Sequence, residues 1–262
     1  MDRSALPLVA AACLALGACS NNDNNNSTLP LSGELRVVNG IPESQSLDSS
    51  IGNVPFASGT GFHQASGINS PIPQGSYNAQ FTVTSSSSSS GGDGSFTVDN
   101  VAIQQNVLNT VFTAGTVAQN NLSGFPAPVS LAAPASGHFV AQFVNDALSA
   151  SASGNLSFLL LAPGNTNSSV IAPAATLAYG AYSQPRSFNN GSYELIVTDS
   201  NGTFLYDSGT NGVQLPPAGN VLQIAALDNL APGLIGCALF LTVLDNLGNQ
   251  TNPANSKVCP GG

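Results

Sequence analysis

The chain has 262 residues, of which 6% are charged, against about a quarter in an ordinary soluble domain. Hydrophobic residues make up 42%, so Ser, Asn, Gly and Thr stand in for the missing charges, and a bundle of membrane-spanning helices is excluded. With 4 cations against 13 acids, a net charge of −9, the chain cannot neutralise a row of phosphates, which excludes nucleic acid as a partner.

The N-terminus opens with Met1-Asp2-Arg3, continues with an apolar run from Ala5 to Ala18, and reaches Cys19 ahead of Ser20-Asn21-Asn22-Asp23. The run is shorter than the roughly 20 residues a bilayer span needs, and it has the length of a signal-peptide core with small residues before the cut. Leu16-Gly17-Ala18-Cys19 resembles the lipobox of bacterial lipoproteins, in which the Cys carries a diacylglyceryl thioether and becomes residue one of the mature chain. That resemblance implies a signal peptide over 1–18, a lipidated Asn-rich tether over 19–32, and attachment to a membrane through Cys19. Two or more acyl chains hold a protein far more firmly than one, at about 0.8 kcal/mol per buried CH₂. An ordinary cleaved secretory signal ending near a Cys is the alternative. Ser20 rather than Asp after the Cys, by analogy with enterobacterial sorting, points to the outer membrane.

Beyond the tether the hydrophobic period becomes two. In Tyr77-Asn78-Ala79-Gln80-Phe81-Thr82-Val83-Thr84 odd positions are apolar and even ones polar, as in a strand with one buried face. The pattern predicts strands near 34–39, 51–56, 61–65, 76–84, 94–99, 106–114 and 126–131. A second set follows near 138–145, 156–162, 179–183, 192–199, 203–207, 212–215, 220–227 and 237–245. Between strands of the first set, the low-complexity run Ser85 to Ser90 with Gly91-Gly92-Asp93-Gly94 is expected to be a disordered hairpin loop.

Three echoes tie the two sets together. Gly75-Ser76-Tyr77 returns as Gly191-Ser192-Tyr193, Asn106-Val107-Leu108 as Asn220-Val221-Leu222, and Val37-Val38-Asn39 as Phe143-Val144-Asn145. Their common order and similar offset indicate a tandem duplication, with units over 33–132 and 137–262 joined by the small-residue link Ala132 to Gly137. Seven or so short strands per unit, divided by Gly, Pro, Asn and Ser turns, predict an all-β chain. We expect two tandem antiparallel β-sandwiches of immunoglobulin-like architecture, with an open barrel as the other variant.

Cys237 and Cys259 remain once Cys13 and Cys19 are assigned to the signal and the lipid. An even pair in an exported protein is expected to form a disulfide; two free buried thiols are the alternative. No metal site is expected, since no His lies near either Cys and Asp93 and Asp99 lack the calcium-loop spacing. A Ser-His-Asp arrangement needs a base, and only His63 and His138 exist. His138 reads as a solvated edge residue, His63 as an outward polar residue of a strand, and no Gly-x-Ser-x-Gly elbow occurs. Arg36 and Arg186 are expected in local salt bridges on the sheet surface. No catalytic residue and no cofactor are assigned.

Leu35-Arg36-Val37-Val38-Asn39-Gly40-Ile41-Pro42-Glu43 resembles the opening motif of the domain-of-unknown-function family 4397, whose first strand commonly reads Arg-Val-x-His-Ala-Ser-Pro-Asp-Ala. The family's x-Pro-x-Gly-x-Tyr turn matches Ile72-Pro73-Gln74-Gly75-Ser76-Tyr77, and its following Val-Leu-rich strand matches Asn106 to Thr113. The resemblance covers most of the first unit and, more faintly, the second. It implies tandem domains in a secreted or surface-anchored bacterial protein. The family's His is Asn39 here, its Asp is Glu43, and the second unit has Gln142 where the first has Arg36. The expected role is that of a non-enzymatic envelope lipoprotein presenting two sandwiches to an envelope or extracellular polysaccharide or protein. A structural spacer without a ligand is the alternative, and a hydrolase ranks third.

Overall fold

The computed structural model describes residues 31–42, 44–85, 93–162, 172–215, 219–229 and 239–254. Cys13, Cys19, Cys237, Cys259, Glu43 and most of the Ser-rich run lie outside these residues, and with them the positions of the expected lipid anchor, disulfide and loop disorder.

The described chain is all-β apart from one 3₁₀ turn, Ala150–Ser153. In the first half, β1 (Ser32–Asn39), β4 (Asn69–Pro73), β7 (Val107–Ala114) and β8 (Ser123–Ser130) form a sheet in the order β4-β1-β7-β8. The strands β2 (Ser44–Ile51), β3 (Val54–Thr60), β5 (Gly75–Ser85) and β6 (Gly94–Ile103) form the facing sheet, ordered β3-β2-β5-β6. The second half repeats both sheets. One contains β9 (His138–Asp146), β12 (Arg186–Asn189), β16 (Val221–Asp228), β17 (Leu239–Asp245) and β18 (Gln250–Thr251), ordered β12-β9-β16-β17-β18. The other contains β10 (Leu156–Leu161), β11 (Ala175–Leu177), β13 (Ser192–Thr198) and β14 (Phe204–Asp207), ordered β11-β10-β13-β14, with β15 (Val213–Gln214) also on β13.

Among the described residues the pairings are antiparallel except one per half, β1 with β7 and β9 with β16. Each of these joins the first strand of a half to one much later in the chain. The sandwich therefore closes around a parallel pair in its inner sheet, a refinement of the antiparallel expectation.

β5 obeys its period of two, with Asn78, Gln80 and Thr82 exposed and Ala79, Phe81 and Val83 buried. They pack with Leu35 and Val37 of β1 and Leu47 of β2 into the first core. Phe139, Phe143, Phe158, Leu195, Ile224 and Leu241 lead the second. β1 and β16 are buried along almost their whole length, because their other faces pack against each other's half. Val38, Phe112 and Ala127 meet Val144, Ala225, Leu227 and Leu244, while Leu108 and Val129 meet Val221. The result is four layers, outer sheet, inner sheet, inner sheet and outer sheet, with apolar clusters in the seam between the halves.

Several predicted strands shift. The segment 51–56 holds a hairpin turn at Gly52 and Asn53, both at positive φ (53° and 69°), the primed-turn geometry that joins twisted strands. Ser-rich β2 hid its alternation behind small polar side chains. The segments 61–65 and 179–183 are loops, each held to its first strand by backbone hydrogen bonds and one isolated β-bridge, Val38 to Ala65 and Val144 to Tyr182. The short edge strands β4, β11, β12 and β18 carry too few residues for a period to emerge.

Candidate functional site

The seam places the rare charged groups. Arg36 is 1% exposed, which corrects the expectation of a surface salt bridge: the outward face of β1 is covered by the second half. Its Nη1 donates to the Asp245 carbonyl at 2.8 Å, its Nη2 to Gln223 Oε1 at 2.9 Å and to Thr110 Oγ1 at 3.2 Å, and its Nε to Thr110 Oγ1 at 3.3 Å. Gln223 Nε2 donates in turn to Gln142 Oε1 and the Ala127 carbonyl, and Gln142 Nε2 to the Pro128 carbonyl. Arg36 is the register partner of Thr110, and Gln142 that of Gln223. The motif positions 36 and 142 thus meet in one network at the centre of the seam. Burial lowers the guanidinium to about 10, with Asp245 and Glu34 opposing the drop, so Arg36 stays charged at neutral pH.

Asn39 and Asn145 perform one task twice. Asn39 Nδ2 donates to Ser44 Oγ and the Thr60 carbonyl, both at 2.8 Å, and its Oδ1 accepts the Ile41 N–H. Asn145 Nδ2 donates to Ser151 Oγ and the Leu177 carbonyl, and its Oδ1 accepts the Ala147 N–H. Each side chain satisfies backbone where the first strand turns out of its sheet. The position where the family has His is therefore a structural pin in this chain.

The next residues, Gly40 and Asp146, face each other across the seam. A Cβ on Gly40 would meet Asp146 Oδ2 at 2.6 Å and the Thr113 carbonyl at 2.6 Å, so the carboxyl occupies space that a side chain at position 40 would fill. Asp146 is fully buried. Neither of its oxygens has a hydrogen-bond partner among the described residues. Burial, reinforced by the nearby Asp228 charge, pushes its carboxyl well above the usual carboxylate range.

Beside this pair a cleft of about 370 Å³ opens between the halves. The first half supplies Thr116, Gln119 and Asn121, the second Ser149, Tyr179 and Asp228. Gly115, at φ +94°, starts the first wall. Asn121 Oδ1 accepts the Thr116 N–H at 2.7 Å and Asn121 Nδ2 donates to Gln119 Oε1 at 3.0 Å. Asp228 accepts the Ser149 and Ala150 N–H groups at 2.7 and 3.1 Å, capping the 3₁₀ turn with a carboxylate. Burial still leaves its carboxyl above the ordinary value. Tyr179 and Ser123 share a hydroxyl bond of 2.8 Å across the seam. Burial and the Asp146 charge push the Tyr179 phenol up to about 12, leaving it neutral. Apart from the Asp228 carboxyl, which is occupied by the turn, the polar groups of the walls are hydroxyls and amides set beside apolar Pro42, Leu148 and Ala152, a lining that suits a polar, uncharged ligand.

His63 lies in a loop at φ +60° with Nε2–H donating to the Asp228 carbonyl at 3.0 Å. The outward strand position expected for it is corrected: the second half covers this loop. His138 begins β9 half-buried, and its Nδ1 bonds the Ser136 carbonyl at 2.9 Å. Its strand lies inside the sheet, between β12 and β16. Arg186 is exposed, but its Nη1 donates to the Ala174 carbonyl at 2.7 Å and it lies 6.0 Å over Phe188. Asp93 Oδ1 accepts the Ser85 N–H at 3.3 Å. Among the described residues, no three or more His, Cys, Asp or Glu side chains gather as metal ligands would. The seam acids escaped sequence reading, although a signal existed: Asp146 and Asp228 each end a long apolar strand, where a carboxylate is costly unless a partner fold covers it.

Residues 33–153 match the family model described as "Domain of unknown function (DUF4397)", the family whose opening motif the sequence resembles. The match runs from β1 through β9 into the 3₁₀ turn, so it takes in the first sandwich, the link and both Asn pins. No curated protein matches the chain.

Proposed function

We propose that this protein is a non-enzymatic bacterial envelope lipoprotein, anchored in the outer membrane through Cys19, whose paired sandwiches hold a polar, uncharged ligand in the seam cleft. The observation that carries this reading is the chemistry of the cleft. Amide and hydroxyl side chains from both halves converge on it, the phenol of Tyr179 is held neutral, and Asp228 is engaged in capping. Such groups recognise the hydroxyls of an envelope or extracellular polysaccharide, or the backbone of a protein segment, better than they perform acid–base work. The lipobox-like Leu16-Gly17-Ala18-Cys19 supports the anchor, and an exported location supports a disulfide between Cys237 and Cys259.

Calorimetric titration of the full chain with a panel of envelope polysaccharides tests the binding role. We expect a saturable signal that Asn121→Ala weakens while the fold persists. A second reading, a spacer that organises the envelope without a ligand, is favoured by the apolar and hydrogen-bonded contacts across the seam. If no polysaccharide or envelope protein fraction gives a signal, the spacer reading stands instead. Fractionation with labelled fatty acid tests the anchor: Cys19→Ala should move the protein out of the membrane fraction. Alkylation of the unreduced protein should find no free thiol at Cys237 or Cys259.

A further inference from the structure

The two sandwiches differ most at one edge. β3 and β4 are the terminal strands of the two sheets of the first half, and between them opens a groove of about 380 Å³. Val54, Pro55, Phe56, Pro71, Ile72 and Tyr77 line it, and no charged residue does. Val54 is 63% exposed and Leu31, whose carbonyl accepts the Gln74 N–H just past β4, is 51% exposed. In the second half the terminal strands are β11 and β12. There the gap is spanned by Arg186, donating from β12 to the Ala174 carbonyl beside β11. One edge is therefore open and apolar, and its counterpart is closed by a cation.

The open edge is also where the tether arrives. Cys19 precedes Leu31 by 12 residues, about 40 Å when extended and roughly 20 Å as a coil. We infer that this edge of the first sandwich rests on the lipid surface that holds the anchor, with Val54, Leu31 and the groove facing the acyl-headgroup boundary. The inference rests on the lipid-anchor reading of Cys19. Three features favour lipid over another protein chain. Pro55, Pro71 and Pro73 remove N–H donors that an added strand would need. The lining carries no charge, so in a chain of net charge −9 this edge meets anionic headgroups with the least repulsion. Tyr77, half-buried with its hydroxyl donating to the Pro73 carbonyl at 2.9 Å, presents the amphipathic ring favoured at membrane interfaces.

The chain has no Trp, so Val54→Trp introduces a sole reporter, and Phe204→Trp supplies one at an exposed position of the second half (38% exposed). The full acylated protein is reconstituted in phosphatidylethanolamine–phosphatidylglycerol vesicles containing brominated acyl chains. We expect the V54W emission to shift to the blue and be quenched, that of F204W to stay unchanged, and Leu31→Asp to abolish the V54W quenching. If acylated V54W protein floats with the vesicles yet is quenched no more than F204W, the edge does not face lipid, and the anchor reading survives alone. Should the chain take up no fatty acid, the anchor reading fails. A hexahistidine tag replacing residues 1–19, held on nickel-chelating lipid, then supplies the tether, and absence of quenching in that arm overturns the inference by itself.

Discussion

His63 lies flat on Phe240, ring centroids 3.8 Å apart and planes 3° from parallel, joining the loop after β3 to β17 across the seam. Its backbone bears a cost for that contact, since φ is +60°, a region that disfavours side chains by roughly 1–2 kcal/mol. The second half shows the unstrained solution. His63 N–H donates to the Asn39 carbonyl just as Gly180 N–H donates to the Asn145 carbonyl, and Gly180 has φ +75°.

Replacing His63 therefore separates backbone from ring. His63→Ala removes the stack and the bond to Asp228 while keeping the unfavourable φ, and we expect a loss of about 1–3 kcal/mol. His63→Gly loses the same contacts but relieves the backbone, so it should fall less, by about 1 kcal/mol. Urea unfolding of both variants checks the order; equal losses would mean that the loop carries no strain.

The seam also sets opposing pH dependences. Asp146 has a raised folded value, so from the ordinary carboxylate range upward the native state holds a proton that the unfolded chain has released. Its stabilisation is full in acid and is lost as pH rises through the folded value. Burial lowers the His63 imidazole, so its contribution is present above pH of about 6.5 and is lost as pH falls through its folded value. The two trends oppose each other: Asp146 lowers stability as pH rises from the ordinary carboxylate range upward, and His63 lowers it as pH falls below about 6.5. Asp146→Asn should reduce the fall in stability that begins in the ordinary carboxylate range, leaving the smaller share of Asp228, and raise stability at neutral pH, and His63→Gln should flatten the slope just below the ordinary imidazole pKa. An unchanged slope above the ordinary carboxylate range in the Asn variant would show that Asp146 does not carry the proton.

Arg36 tests whether the network holds the halves together. Arg36→Met keeps much of the volume but removes four donations, leaving the Asp245 carbonyl without its guanidinium partner. Breaking buried charged hydrogen bonds of this kind costs about 3–5 kcal/mol. We expect that loss in global unfolding, together with faster protease cleavage at the Ala132 to Gly137 link. Retention of both wild-type stability and link protection would place the cohesion in the apolar contacts alone.

The strands that showed in the sequence were those with one wet face, such as β5, or with a continuous apolar run, such as β16. The three echoes fell on equivalent strands, β1 with β9, β5 with β13 and β7 with β16, because each half repeats the same sheet order. What stayed hidden depends on the seam. A sequence read one unit at a time assigns Arg36 and His63 to solvent, since nothing local states that a second sandwich covers those faces. Gly40 and Asp146 carry the same lesson: they occupy equivalent positions, yet their pairing follows only from how the two copies pack. The cleft, formed by loops from both halves, inherits that invisibility, whereas the small edge strands were hidden simply by shortness.

The two Asn pins offer the most direct comparison between the halves. Asn39→Ala removes two donations and one acceptance, Asn145→Ala the same set plus a second acceptance from Ser151 Oγ, and each leaves a buried carbonyl and a buried N–H to find new partners. At about 1–3 kcal/mol for such buried groups, the two variants should lose similar stability. The pins share no partner, so the double variant should lose the sum of the two, to within about 0.5 kcal/mol. Calorimetric unfolding of the three variants measures this. A small effect for Asn39→Ala beside a large one for Asn145→Ala would mean that the first strand is secured in a different way, most directly by the bridge from Val38 to Ala65. Equal effects would establish that one side-chain device, inherited with the duplication, ends the first strand in both sandwiches.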